Sequence, residues 1–222
     1  MTTCLQTDGN SFVLASSSPV FGLNDFTVEA WVKPSAAGVI MSNKSTDGGN
    51  EWIENAGFIF SAGTNGALHI AVDNGYAFYA VDSNAEMLFD GNWHHVAAAR
   101  TGYALHLYFD GQEVETVTNN SGTPDSMDLQ QTDPVAISAQ PEGVSYMTGQ
   151  FAEARVWTKF QAVQDIQDNM YKRLTGSEAG LVALWPFSDA TVNEKTGNYP
   201  ATSQGNCSFP NANCPIDDPP TE

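Results

Sequence analysis

The chain has 222 residues, enough for one large β domain with a sizeable core. Its 26 acidic against 8 basic residues give a formal charge of −18, a field that repels phosphate backbones and anionic headgroups and argues against nucleic acid or membrane surfaces as partners. The same field favours cations, calcium above all, because Asp, Asn and backbone carbonyls are hard oxygen ligands; the plainer alternative is that the acidity only keeps a β-rich protein soluble.

Leu5 to Leu14 holds a first strand broken by Asp8-Gly9-Asn10. Asp25–Val32 alternates cleanly: Phe26, Val28, Ala30 and Val32 share one face, and Thr27, Glu29 and Trp31 the other. Short strands follow at Gly38–Ser42, Gly57–Ser61, Leu68–Val72 and Tyr76–Val81, with a polar loop over 43–56. Residues 91–114 then read as two strands and a tight turn into a third. Asp110-Gly111 separates Tyr103, Leu105, Leu107 and Phe109 from Glu113–Val117, and a DG pair between alternating runs is a strong hairpin signal. Residues 118–134 read as a long surface loop. Strands are predicted at Val135–Ala139, Gln150–Trp157, Gly180–Phe187 and Ala201–Asn206. Phe160–Met170 has helical spacing at Val163, Ile166 and Met170. Strand after strand with one helix predicts an all-β, antiparallel two-sheet sandwich. The expected domain is 1–209, with a Pro-rich tail over 210–222 that is expected to be poorly ordered.

Other signals are local. No apolar run approaches the ~20 residues of a membrane span. Met1–Asp8 lacks the basic and apolar regions of a signal peptide, so the chain is expected to be non-classically located or a mature form with an added Met. Cys207 pairs with Cys214 or with Cys4, and either choice leaves one thiol over. Sequons begin at Asn43, Asn119 and Asn206 and matter only for a secreted chain.

Four stretches in order carry a resemblance: DGNSFVLASSSPVFGLNDFTVEAWVKPS at 8–35, GNWHHVAAARTGYALHLYFDGQEV at 91–114, GQFAEARVWTKFQAVQDIQDNM at 149–170 and GLVALWPFSDATVNEKTGNYPATSQGN at 180–206. Together they resemble the laminin-G-like, concanavalin A-like jelly-roll family. The resemblance implies two antiparallel sheets, loops around one rim, extracellular use, and a binding module for glycans or proteins that often holds calcium. The family's ion commonly lies between the opening D-G-x segment and a late D-E-x-R strand. The matching positions are Asp8, Gly9 and Asn10, and Ala152-Glu153-Ala154-Arg155. Ala152 stands where the family usually has Asp. Glu153 either compensates as a ligand or simply pairs with Arg155.

Sugar recognition needs planar hydrogen-bonding groups beside an aromatic face. Asp47, Asn50, Glu51 and Trp52 offer that set in one loop, and Asp73, Asn74, Tyr76 and Tyr79 offer it in a second. Trp31, Glu29, His69, His106 and Tyr108 face away from the predicted core; they line a binding sheet or lie under a loop or the helix. Catalysis is not expected. No E-x-D-x-x-E run or G-x-S-x-G occurs, and His94 and His95 point to opposite faces. The expected function is a calcium-containing, lectin-like module binding a glycan or glycoconjugate through rim loops. The alternative is a protein-interaction or adhesion module of the same fold. Single lectin sites gain by linkage, so a homo-oligomer is an accompanying expectation.

Overall fold

The structure is a computed structural model and describes residues 2–45, 56–84, 87–102, 104–120, 127–130, 133–211 and 213–216. Fifteen strands and one helix follow in order: β1 Leu5–Asp8, β2 Phe12–Ala15, β3 Phe26–Pro34, β4 Gly38–Ser42, β5 Gly57–Ala62, β6 Leu68–Asp73, β7 Phe78–Ser83, β8 His94–Thr101, β9 Ala104–Phe109, β10 Gln112–Glu113, β11 Thr116–Asn120, β12 Ala136–Ile137, β13 Thr148–Trp157, α1 Val163–Asn169, β14 Leu181–Trp185 and β15 Ala201–Gln204. They form two antiparallel sheets. One has seven strands in the order β1-β13-β3-β8-β9-β10, with β14 also on β13; the other has eight, β11-β7-β6-β5-β4-β12-β2-β15. This is the expected concanavalin A-like sandwich with one short helix.

Alternation explains the core. Phe26, Val28, Ala30 and Val32 of β3 point between the sheets, where they join Phe58, Phe60, Ile70, Val72, Val96, Leu107 and Phe151. The Phe26 and Phe58 rings lie 5.5 Å apart across the gap. The predicted hairpin forms as read: Phe109 pairs with Gln112, and Asp110 and Gly111 have φ of 47° and 74°. Positive φ at both central residues gives the primed turn that suits strand twist. Asp110 also accepts the His95 N–H at 2.9 Å, which locks the turn to β8.

The opposite face of β3 is buried as well. Thr27, Glu29 and Trp31 lie under α1 and the residues around it. Trp31 Nε1–H donates to the Met170 carbonyl at 2.8 Å, and Tyr108, Ala97 and Ala99 pack against Ile166. Glu29 is 1% exposed at the centre of an ionic network. Its Oε1 accepts from Trp157 Nε1 at 2.9 Å and from Arg155 at 3.3 Å. His95 Nε2 lies 3.3 Å from its Oε2. Arg155 continues to Glu153 at 3.2 Å and to the carbonyls of Asn169 and Lys172 at 3.1 and 2.7 Å. Arg173 joins Glu153 at 3.4 Å and the Ile216 carbonyl at 3.0 Å.

Two expectations change. The segment over 118–134 is not all loop: β11 pairs with β7, and Met127 and Leu129 are buried. Its Asn/Thr-rich sequence hides an edge strand, where polar residues are the normal choice. The described residues after 209, 210–211 and 213–216, pack on the domain. Asn211 bridges Thr3, and Ser208 bridges Gln6. That antiparallel register sets Pro210 opposite Cys4, whose N–H its carbonyl accepts at 3.4 Å; Cys214, four residues further on, forms the disulfide with Cys4. Neither of the pairings expected for Cys207 occurs; it is a free thiol, and burial pushes its pKa up. Asn43 is interior: its amide donates to Ser18 at 2.9 Å and accepts the Phe58 N–H at 2.8 Å, so its sequon is closed to modification in the folded chain. Among the described residues no helix is long and apolar enough to cross a membrane.

Burial pushes the Glu29 carboxyl up, but His95, Arg155 and Trp157 outweigh it and hold it at about 2. The stabilisation is therefore complete above the ordinary value of 4.5 and is lost as pH falls toward about 2. In urea unfolding at pH 7, Glu29→Gln is expected to cost about 3 kcal/mol, as for one partner removed from a buried ion pair. The gap from wild type should close as pH falls through that window. A gap that is constant with pH would show that the charge is not its source.

Candidate functional site

The outer face of the eight-stranded sheet carries an open groove of about 430 Å³. Strand register builds it in rows, since opposed residues share a face. Ile59, Ala71, Ala80 and Asn119 stand side by side across β5, β6, β7 and β11. Ser61, His69 and Asp82 form a second row, and Gly57, Asp73 and Phe78 a third. Small side chains make a low floor at Ser61, Ala71 and Ala80. Taller groups rise around it: Lys44, His69, Asp73, Phe78, Asn119 and Gln140.

The walls are fixed by local bonds. Asp73 Oδ1 accepts the Gly75 N–H at 2.6 Å, and Gly75 has φ +86°, a conformation glycine adopts without cost. Asp73 Oδ2 meets Lys44 Nζ at 3.3 Å, and both side chains are nearly buried. Gln140 donates to the Lys44 carbonyl at 3.2 Å. His69 Nδ1 lies 2.7 Å from Asp82. Ser61, His69 and Asp82 have the order of a nucleophilic triad, yet no hydrogen bond joins Ser61 to His69, so the row is not wired as nucleophile and base.

Asp73 is the predicted residue that lines the groove. Asn74 caps the adjoining turn, accepting the Tyr76 and Ala77 N–H groups at 3.0 and 2.9 Å. Tyr76 stands at the turn tip, 96% exposed. Tyr79 is not on this face. It pairs with Val72 and packs against the inter-sheet core, because strand parity gives the groove Phe78 instead. Asp47, Asn50, Glu51 and Trp52 lie outside the described residues. Of the five outward-facing candidates, His69 is in the groove. Trp31, Glu29, His106 and Tyr108 belong to the seven-stranded sheet. Trp31, Glu29 and Tyr108 are buried there, and the His106 ring lies 5.2 Å from that of Phe160, which precedes α1. Lys44, Ile59, Ala71, Phe78, Asn119 and Gln140 escaped sequence reasoning. Alternation along β5, β6 and β7 carried the signal for Ile59, Ala71 and Phe78; nothing local marked Lys44 or Gln140.

The four residues expected to hold calcium do not form one coordination sphere. Asp8 is exposed, and its Oδ1 accepts from Ser11 at 2.8 Å and Asn10 at 3.0 Å. Those two bonds hold its pKa below the usual carboxylate range. Gly9 has φ +83° and completes that tight turn. Asp8 pairs with Thr148, so Glu153 lies roughly 15 Å farther along β13 at strand spacing. Two residues of β13, Glu153 and Ala154, oppose the single Ala30 of β3. This bulge, with Glu153 at φ +50°, sets Arg155 opposite Glu29 and so turns both Glu153 and Arg155 to the outer face. Both Glu153 oxygens are taken by Arg155 and Arg173. Burial pushes its pKa up despite the two guanidiniums. Of the two roles open to Glu153, the structure shows pairing with Arg155. Among the described residues no group of three or more His, Cys, Asp and Glu gathers for a metal. Any difference in melting temperature between calcium and EDTA is expected to be the same in Glu153→Gln as in wild type. A calcium shift that disappears in the variant would make Glu153 a ligand after all.

With this geometry the comparisons agree on the class of protein. The family model of the concanavalin A-like lectin/glucanases superfamily, laminin G type, matches residues 7–167; the chain belongs to that superfamily. No curated protein matches it in sequence. A candidate carbohydrate-binding protein of Bacteroides ovatus has TM-score 0.71 and 18% identity, covering 98% of this chain; the chain spans 62% of that protein's length. The heptameric SAP-like pentraxin of Limulus polyphemus has TM-score 0.59 and 13% identity, with 94% of each chain covered. Domain 4 of AbnA, a GH43 extracellular arabinanase of Geobacillus stearothermophilus in complex with arabinotriose, has TM-score 0.56 and 17% identity, covering 74% of this chain and 75% of that one. At these identities the likeness is one of fold.

Proposed function

We propose that the chain is a carbohydrate-binding module that takes a glycan in the groove on the outer face of its eight-stranded sheet, with the β6–β7 turn as one rim. The groove itself carries the reading. It combines a floor of small residues and Ile59, an aromatic surface from Phe78, and fixed polar groups at Asp73, His69, Asn119 and Gln140. An apolar wall with a few placed polar groups is what a small-molecule site requires. The fold neighbours from Bacteroides and the arabinanase, one designated and one solved as sugar binders, support it.

The module binds and releases; it does not turn its ligand over. Among the described residues Asp73 lines the groove, and Asp82 stands beside it opposite His69. Asp82 pairs with His69, which is four residues from Asp73 along β6. That spacing is about 13 Å, beyond the ~5–9.5 Å at which two carboxyls flank a scissile glycosidic bond. Calcium enters the proposal only as an ion near the Asp8 turn, without Glu153, and sugar binding does not depend on it. A homo-oligomer would raise the avidity of a weak single groove.

A glycan array followed by calorimetry tests the reading. Asn119→Ala should weaken binding about tenfold, or 1.4 kcal/mol. Ala71→Tyr, which fills the floor, should abolish it, with both variants melting near wild type. Wild-type affinity in both would move the site off this face. A folded sample that binds no glycan but captures a protein would leave the interaction-module alternative.

A further inference from the structure

We infer that the groove selects neutral oligosaccharides and rejects uronic, sialylated and sulfated ones. The inference rests on the carbohydrate-binding reading and adds its substrate class. Every Lys, Arg and His of the sequence lies within the described residues, so no further basic side chain is available from elsewhere in the chain.

Of these, only Lys44 and His69 line the groove. Each already faces a carboxylate of the same protein: Lys44 meets Asp73 at 3.3 Å, and His69 meets Asp82 at 2.7 Å. The other cations are placed away from it. Lys33, His94, His95 and His106 lie on β3, β8 and β9 of the seven-stranded sheet, and Lys172 follows α1. Arg155 and Arg173 serve the network under α1. Arg100 is buried against the Met127 and Gly22 carbonyls. Lys195 pairs with Asp189, and Lys159 lies over the Trp157 ring. An anionic sugar entering the groove would meet two matched pairs and a formal field of −18, with no excess positive charge to replace its lost hydration. A neutral sugar needs no such charge. It needs donors and acceptors at fixed places, and Ser61, Asn119, Gln140 and the oxygens of Asp73 offer both.

The groove also has a length. Its lining runs from Val39 on β4 through β5, β6 and β7 to Asn119 on β11. Five adjacent strands span four spacings, about 19 Å. That exceeds one sugar ring, so the occupant is an extended oligosaccharide lying across the strands.

The test is calorimetry and array binding on the intact chain. The probes are neutral xylo-, arabino- and gluco-oligosaccharides of one to four units, beside matched glycans carrying uronate, sialate or sulfate. Each is measured at low and high sodium chloride. The expected result is binding of a neutral series, at least tenfold tighter for the trisaccharide than for the monosaccharide, and the same within twofold at both salt levels. Tighter binding of an acidic glycan, weakening as salt rises, would overturn the neutral class while leaving a sugar-binding module. Neutral binding that is equally tight for one unit would overturn the extended occupant. Failure of every glycan, neutral and acidic alike, would overturn the carbohydrate reading itself, and the inference with it.

Discussion

A carboxylate buried in the middle of a β-sheet is tolerable only when every charge around it is matched. Glu29 meets that condition through Arg155, Trp157 and His95, and the matching shapes half of the molecule. Arg155 reaches past the sheet to the carbonyls of Asn169 and Lys172, and so pins the end of α1. Glu153 passes the constraint to Arg173, which holds the Ile216 carbonyl. The Cys4–Cys214 disulfide closes the same corner. One network thus fixes the central strand, the helix and the C-terminal segment, and it occupies the very glutamate that sequence resemblance offered to calcium.

The consequence is a division between the two sheets. The seven-stranded sheet spends its outer face on this cover, so Trp31, Glu29 and Tyr108 serve packing. Among the described residues the eight-stranded sheet keeps an open outer face across β4 to β11, and there short side chains leave room where longer ones would fill it. Function follows from which face stays uncovered.

The sandwich was legible because strand parity and turn chemistry are local. Phe26, Val28, Ala30 and Val32, and the Asp110–Gly111 turn, declare themselves within a few residues. The site was less legible because it depends on parity at one residue's precision and on distant strands meeting. Reading Tyr79 for Phe78 exchanges the core face for the groove face. Lys44 becomes a groove residue only because β5 brings it beside Asp73 from the end of β4. The pairing of Glu153 with Arg155 was visible as spacing on one strand; the bulge that turns the pair toward Glu29, and Arg173 beyond it, was not. Cysteine pairing failed for a similar reason. The antiparallel bridges of Gln6 with Ser208 and Thr3 with Asn211 hold the C-terminal segment against β1, and the chain beyond them, not proximity in sequence, brings Cys214 to Cys4.

The central claim is that the uncovered face of the eight-stranded sheet is where ligand binds. Methyl-detected NMR during titration with a neutral trisaccharide tests it most directly. The account predicts shifts at Ile59, Ala71 and Ala80, with the methyls under α1, such as Ile166, unmoved. Shifts confined to the Val20–Leu23 loop or to residues beside the Asp8 turn, with Ile59, Ala71 and Ala80 silent, would contradict it.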